Sequence, residues 1–205
     1  KYASRAPSGD SLEGFILASQ RIQAHVLKTA VERWRRMKFS KAGFAIWQFN
    51  DPWPAVTWSV VDYFGRPKLA YHALKMSMAP LAVALFYRQG DWMPGDVLRY
   101  DIAVINDYHR SFHGLVARVY AGEKELDSAR FEARSNSVTA SEDHELLLTK
   151  ESDLLLKVEL ADAEGRVLAR NEHDLRLFDP DRAPFFRRVA DKLFRKWLTR
   201  EPPEE

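Results

Sequence analysis

Apolar residues recur at steps of three and four between Ser11 and about Met37. Phe15, Ala18, Ile22, Val26, Ala30 and Trp34 would share one face of a helix wound over this stretch. Asp10 or Ser11 supplies the side-chain oxygen that caps such a helix. Beyond the polar segment 38–41 the pattern becomes a short unbroken apolar run, Gly43, Phe44, Ala45, Ile46 and Trp47, of the kind that forms a fully buried strand. That run opens into WQFNDPWP, where Pro52 and Pro54 cannot donate to a sheet ladder, so the chain from Asn50 onward is expected as loop. SVVDYFGRPK then reads as a brief extended piece with a turn at Gly65 and Pro67, and Leu69 to Met78 as a second helix closed by Pro80. Helix, buried strand, long loop, helix is an α/β pattern, in which the carboxyl end of the strand faces the site.

From Leu81 the period drops to two. Leu98, Tyr100, Ile102 and Val104 alternate with polar positions, as do Leu154, Leu156, Val158 and Leu160 with Lys157 and Glu159 between them. Turn signals fall at 94–96 (PGD), 106–111 (NDYHRS), 121–125 (AGEKE), 135–137 (SNS) and 161–166 (ADAEGR). About seven short strands divided in this way predict an antiparallel sandwich of immunoglobulin type. A third regime follows, where Phe186, Val189, Leu193 and Trp197 lie on one face of a basic helix ahead of a disordered EPPEE tail.

Composition narrows the function classes. With 205 residues the chain can bury a sizeable core, and its 46% apolar and 29% charged residues are ordinary for a globular protein. The longest apolar runs, such as Leu81 to Tyr87, fall far short of a membrane span, and no signal-like segment opens the chain. A start at Lys1 rather than Met fits a chain that begins inside a longer protein. The absence of Cys excludes disulfides, Cys-ligated zinc and a thiol nucleophile. The net charge of +2 is too small to imply nucleic acid, but it is unevenly spread. Between Pro184 and Arg200, Arg187, Arg188, Lys192, Arg195, Lys196 and Arg200 face Asp191 alone, six cations less one anion, and the remainder of the chain is slightly acidic.

The stretch GFAIWQFNDPWPAVTWSVVDYFGRPKLAYHALK resembles the end of the barrel in family 2 glycoside hydrolases, and within that family the β-mannosidases. The residues that carry the resemblance are Trp47, Gln48, Asn50, Asp51, Trp53, Pro54, Trp58, Ser59, Asp62, Tyr63, Gly65 and Arg66. VINDYHRSFHGLVARVYAG, with Asn106, Asp107 and Gly114, resembles the first hairpin of the immunoglobulin-like domain that follows such a barrel, and ADAEGRVLARNEHDLRLF its last. The resemblance covers residues 10–178. It implies a mixed α and β chain in three parts: the last strand and helix portion of a (β/α)8 barrel over 1–79, an immunoglobulin-like antiparallel β-sandwich over 80–178, and a C-terminal amphipathic helix with a disordered tail over 179–205.

The resemblance also implies what the chain lacks. A retaining glycosidase needs two carboxyl groups about 5–5.5 Å apart, one as acid/base and one as nucleophile. In the family these are glutamates on earlier barrel strands, and neither motif is present in this sequence. The implied role is therefore that of the C-terminal part of a β-mannosidase-like exo-glycosidase, with no catalytic residue of its own. Its expected partners are a carbohydrate substrate, met through the parent enzyme, and the remainder of the barrel. Trp47 is the candidate floor on which a terminal sugar stacks its apolar face, against a reading as a core tryptophan. Asn50 and Asp51 either bond sugar hydroxyls or cap the loop through local backbone bonds. Trp53 and Trp58 are expected to pack on the sandwich or on neighbouring barrel loops, and Asp62 with Arg66 to form a turn closed by an ion pair.

Other chemistry finds no support in the sequence. His109 and His113 stand four apart with no third ligand nearby, so no metal site is expected, and no Gly-rich phosphate loop or Gly-x-Ser-x-Gly elbow occurs, so no cofactor is expected either. Nucleic acid is not an expected partner. The basic helix supports one alternative of another class, an interaction module in which the sandwich presents that helix to an anionic membrane or a partner's groove.

Overall fold

The computed structural model describes residues 11–88, 90 and 92–175. The basic helix expected over 179–205 lies outside them. Helix α1 runs Leu12–Arg36, and the Ser11 Oγ that caps it accepts from the Gly14 N–H at 3.1 Å. Glu13 in its first turn and Arg33, Arg35 and Arg36 in its last complement the helix dipole. Helix α2 runs Leu69–Ser77 and ends where the Met78 N–H returns to the Leu74 carbonyl, two residues before Pro80. The two helices enclose a small core of Val31, Val60, Ala70 and Leu74, with Ala24, Leu27, Phe44 and Ile46 packed against it.

Two expectations for this part need correction. The run from Gly43 to Trp47 forms no strand, and Phe44 and Ile46 are half-buried while Gly43, Ala45 and Trp47 are exposed. A single extended segment has no neighbour to pair its backbone, so only the side turned to the helices is covered. The apolar face read for α1 is also not the buried one. Phe15 is exposed, whereas Gly14, Lys28, Val31 and Glu32 are buried, because the helix turns a polar pair toward the sandwich.

Among the described residues the sandwich has seven strands: β1 (Leu81–Tyr87), β2 (Val97–Asn106), β3 (Phe112–Ala121), β4 (Lys124–Ala133), β5 (Ser137–Leu147), β6 (Leu155–Ala161) and β7 (Val167–Asp174). They form a three-stranded sheet β1-β2-β5 and a four-stranded sheet β4-β3-β6-β7, with every pairing antiparallel. In constant-type immunoglobulin domains the fourth strand belongs to the sheet of the first. In this chain β4 pairs with β3 instead. Leu98, Tyr100, Ile102 and Val104 from one sheet meet Leu115, Val119, Leu156, Val158 and Leu160 from the other, so the period-two pattern read from the sequence is the pattern that packs.

The free edge of β1 is closed by side chains. Asn171 Nδ2 on β7 donates to the Val83 carbonyl at 2.8 Å, the Leu85 N–H donates to His173 Nε2 at 3.1 Å, and the Arg33 guanidinium of α1 donates to the Tyr87 carbonyl at 2.9 Å. Successive outward groups of the strand are thus occupied, which removes a template for edge pairing. The end of α1 is tied to the same sandwich through charge. Arg35 donates to Asp107 Oδ2 and to the Ala79 carbonyl, both at 2.8 Å, Lys38 pairs with Asp107, and Arg36 pairs with Asp101 while lying 4.7 Å from the centre of the Phe86 ring.

Candidate functional site

The candidate site is the loop between residues 47 and 61, which the chain builds from one side only. The peptide bond between Trp47 and Gln48 is cis. The loop closes on itself through backbone bonds: the Val60 N–H reaches the Gln48 carbonyl at 3.2 Å, the Val61 N–H the Phe49 carbonyl at 2.9 Å, and the Asp51 N–H the Val61 carbonyl at 3.2 Å. Helix α1 holds it from beneath. Gln23 Nε2 donates to the Trp58 and Ser59 carbonyls at 2.8 and 3.2 Å, and Gln20 Oε1 accepts from the Leu69 N–H at 3.2 Å.

Trp47 and Asp51 have opposite surroundings. Trp47 is 82% exposed at the open side of the segment whose alternate residues, Phe44 and Ile46, are pinned to the helices. Phe44 in turn packs at a tilt against Trp34 of α1 with ring centres 5.3 Å apart. Asp51 is only 3% exposed, and its carboxylate is taken up within the loop. It accepts from Thr57 Oγ1, from Ser59 Oγ at 2.7 Å and from Lys68 Nζ at 3.4 Å, while Lys68 Nζ also donates to Ser59 Oγ at 2.7 Å. The Thr57 hydroxyl, then that of Ser59, with the Lys68 ammonium behind them, hold the Asp51 carboxyl below the usual carboxylate range. Asn50 is also exposed, and its backbone bridges to Val61.

The structure therefore brings Trp47 and Asn50 to an open surface and turns Asp51 inward. Trp53 and Trp58 are 64% and 72% exposed. Asp62 forms the expected turn, accepting from the Phe64 and Arg66 N–H groups at 2.9 and 2.8 Å, but the Arg66 guanidinium sits over the Phe64 ring, 5.4 Å from its centre, rather than on the Asp62 carboxylate. Thr57, Lys68 and Gln23, which fix the loop, escaped the sequence reading. Thr57 and Lys68 lie in stretches with no periodic signal, Gln23 lies in the periodic helix but off its apolar steps, and their roles depend on contacts across 6 to 36 residues. Among the described residues no group of three or more His, Asp or Glu side chains could hold a metal ion. Aromatic surface and an amide at the end of a pinned segment can bind and orient a polar, partly apolar ring, but the site has no carboxylate pair to do acid and base chemistry.

No protein-family profile matches the chain. It is 33% identical over 113 residues to β-mannosidase B of Aspergillus niger, a match that covers 51% of this chain and 13% of that protein. It is 39% identical over 84 residues to β-mannosidase B of Thermothelomyces thermophilus, covering 38% of this chain and 10% of that one. Among solved structures, the crystal structure of β-D-mannosidase from Dictyoglomus thermophilum superposes with a TM-score of 0.60 at 28% identity, over 77% of this chain and 19% of that one. The exo-chitosanase of Amycolatopsis orientalis shares the fold, with a TM-score of 0.59 at 20% identity over 80% of this chain and 19% of that one. The chain thus spans about one eighth of the length of the β-mannosidase B relatives it matches, and it is like the C-terminal portion of a family 2 β-mannosidase.

Proposed function

We propose that this chain completes a β-mannosidase-like exo-glycosidase, supplying part of the pocket for a terminal β-linked sugar while the two catalytic glutamates come from the rest of the enzyme. In this reading residues 1–79 are the end of a (β/α)8 barrel and 80–178 an immunoglobulin-like sandwich that buttresses it. The observation that carries the reading is Trp47. Its ring is left open at the end of an extended segment whose other face is fixed to two helices, which is how a barrel strand stands when its neighbours are removed. The segment becomes a paired strand once the remaining strands flank it. Trp47 then offers its ring to the apolar face of the sugar and Asn50 its amide to a hydroxyl. Asp51 serves the pocket indirectly, by fixing the loop that carries both.

In an intact enzyme containing this segment, Trp47→Ala lowers kcat/KM toward aryl β-mannosides by about 10- to 100-fold, equivalent to about 1.4–2.7 kcal/mol of transition-state binding. Wild-type kinetics from that variant overturn the pocket role. The 205-residue chain on its own is expected to show no turnover of the same substrates, and hydrolysis by the pure chain that is abolished by changing one of its own acids overturns the assignment of the catalytic pair elsewhere.

A further inference from the structure

We propose that the seam joining α1 to the outer edge of β1 and to β7 is a proton-operated coupling, which holds the helix and its loop on the sandwich at neutral pH and loosens that hold in mild acid while the sandwich stays folded. The seam is built from groups that sandwich edges usually leave to water. On α1, Lys28 and Glu32 are both buried and pair at 2.9 Å. Asn171 of β7 bridges Glu32 Oε1 to the Val83 carbonyl, with 2.8 Å to each. His173, two residues along β7 and 5% exposed, takes the Leu85 N–H on its Nε2 at 3.1 Å and packs edge-on against Tyr87, with ring centres 5.9 Å apart. The half-buried ring of His25 on α1 has its Nε2 sealed from solvent.

Because His173 Nε2 accepts a hydrogen bond, the ring is neutral and its one proton sits on Nδ1. A second proton can go only to Nε2. There it turns the acceptor into a donor, confronts the Leu85 N–H, and creates a buried cation near an ammonium that Glu32 already balances. Burial holds the His173 ring well below the ordinary histidine range, and Lys28 and His25 add to the effect. Burial likewise lowers His25 to about 4, with Lys28 reinforcing the shift and Asp174 opposing it. The charges facing the pair are thus Lys28, Glu32 and Arg33 of α1 and Asp174 of β7, with the Tyr87 phenol on β1. His72 and Lys75 of α2 are exposed. Lys157 and Glu159 of β6 stand opposite Glu172 and Arg170, on the face of the sheet away from His173, which pairs across from Leu156.

The sign follows from the released state, where both rings regain an ordinary value near 6.5 and so bind more protons than the joined state. The coupling is at full strength above about pH 6.5 and weakens as the pH falls toward the joined-state values. For His25 alone, with values of 6.5 and about 4, the opening constant at pH 5 rises by (1 + 10^1.5)/(1 + 10^−1), about thirtyfold over its value at pH 8. The inner sandwich core of Leu98, Ile102, Val104, Leu156, Val158 and Leu160 has no proton to take up.

Amide hydrogen exchange of the chain between pH 8 and pH 5, corrected for intrinsic rates, tests the coupling. Protection over 20–36 and at the Leu85 amide is expected to fall by about thirtyfold or more, while that of 115–121 and 155–161 holds. The double variant His25→Phe with His173→Gln, which keeps an acceptor for Leu85, is expected to flatten the loss. Seam protection that tracks the central strands across the range, or a loss that persists in the double variant, overturns the proposal. Titration of the two imidazoles by NMR in the wild-type chain decides the matter even if the double variant does not fold. Rings that stay neutral to below pH 5 support the coupling, and a midpoint near 6.5 for either one in the joined state overturns it.

Discussion

The helical part and the sandwich carry similar kinds of apolar residues and use them in opposite ways. In the sandwich, inward positions on each strand meet a second sheet, and Leu98, Ile102, Leu115, Leu156 and Leu160 are sealed from solvent. In the helical part the buried apolar residues described are Val31, Val60, Ala70, Ala73 and Leu74, while Leu12, Phe15, Phe39, Trp47, Phe49, Trp53, Val56 and Trp58 face outward. The difference lies in pairing. A sheet placed over another sheet satisfies its backbone and its side chains together, but one extended segment laid on two helices covers only alternate residues and leaves its backbone without a ladder. The sandwich covers its own apolar faces, whereas the helical part leaves much of its apolar side-chain surface in water.

Truncation in the sandwich core is expected to have the largest effect. Leu156→Ala removes a fully buried side chain from the core between the sheets and costs about 2–5 kcal/mol in chemical denaturation, whereas Phe15→Ala in the exposed stripe of α1 stays within about 0.5 kcal/mol. Equal losses from the two would erase the contrast between the regions. Next in size is Asn106→Ala. Asn106 is fully buried at the end of β2, donates to the Arg110 and Arg134 carbonyls at 2.8 Å and the Ala133 carbonyl at 3.3 Å, and accepts from the Tyr108 N–H at 2.9 Å. Its loss leaves several buried groups unsatisfied and is expected to cost about 2–3 kcal/mol, with Asn106→Asp no better, since a carboxylate cannot donate to three carbonyls. A neutral result for Asn106→Ala would mean that the turn between β2 and β3 is held by its neighbours alone.

How far the sequence could be read followed the same divide. The alternation at Leu98, Tyr100, Ile102 and Val104, and the turns at Pro94, Gly122 and Gly165, placed the strands because sheet periodicity and φ-positive turns are local properties, and Gly122 and Gly165 do have φ near +61° and +82°. The ends and cap of α1 were also legible, since Ser11 needs only the next turn to do its work. Which face of α1 is buried was not, because the answer depends on β1, which accepts from Arg33, and β7, which donates to Glu32, both more than 45 residues away. At the candidate site the loop's aromatic and amide character was plain in WQFNDPWP, but the inward turn of Asp51 required Thr57, Ser59 and Lys68 to converge on one carboxylate. Convergence of that kind has no period to read.

Smaller effects probe the helical part itself. Ser59 is fully buried, donates to Asp51 and accepts from Lys68, so Ser59→Ala is expected to cost about 1 kcal/mol and to speed proteolytic cleavage between 47 and 61 ahead of cleavage in the strands. Cleavage that begins within β3 or β6 would invert the order of stability proposed for the two regions.

The smallest expected effect discriminates most sharply. Trp53 and Trp58 are large enough that burying either would be worth about 1.5–3 kcal/mol, yet in this chain both rings stand largely in water. Trp53→Ala and Trp58→Ala, separately and together, should therefore shift the midpoint of denaturation by less than about 0.5 kcal/mol each, because truncation removes little apolar area that folding had withdrawn from solvent. The Trp58 backbone keeps its hold on Gln23 through the carbonyl, which the substitution spares. If the same substitutions are made in a longer enzyme that contains this segment, a loss above about 1.5 kcal/mol places the rings under neighbouring parts of that enzyme. An unchanged midpoint there, with weakened binding of oligosaccharide, places them in contact with substrate instead. A large loss in the 205-residue chain would mean that the helical part has a core of its own around these rings.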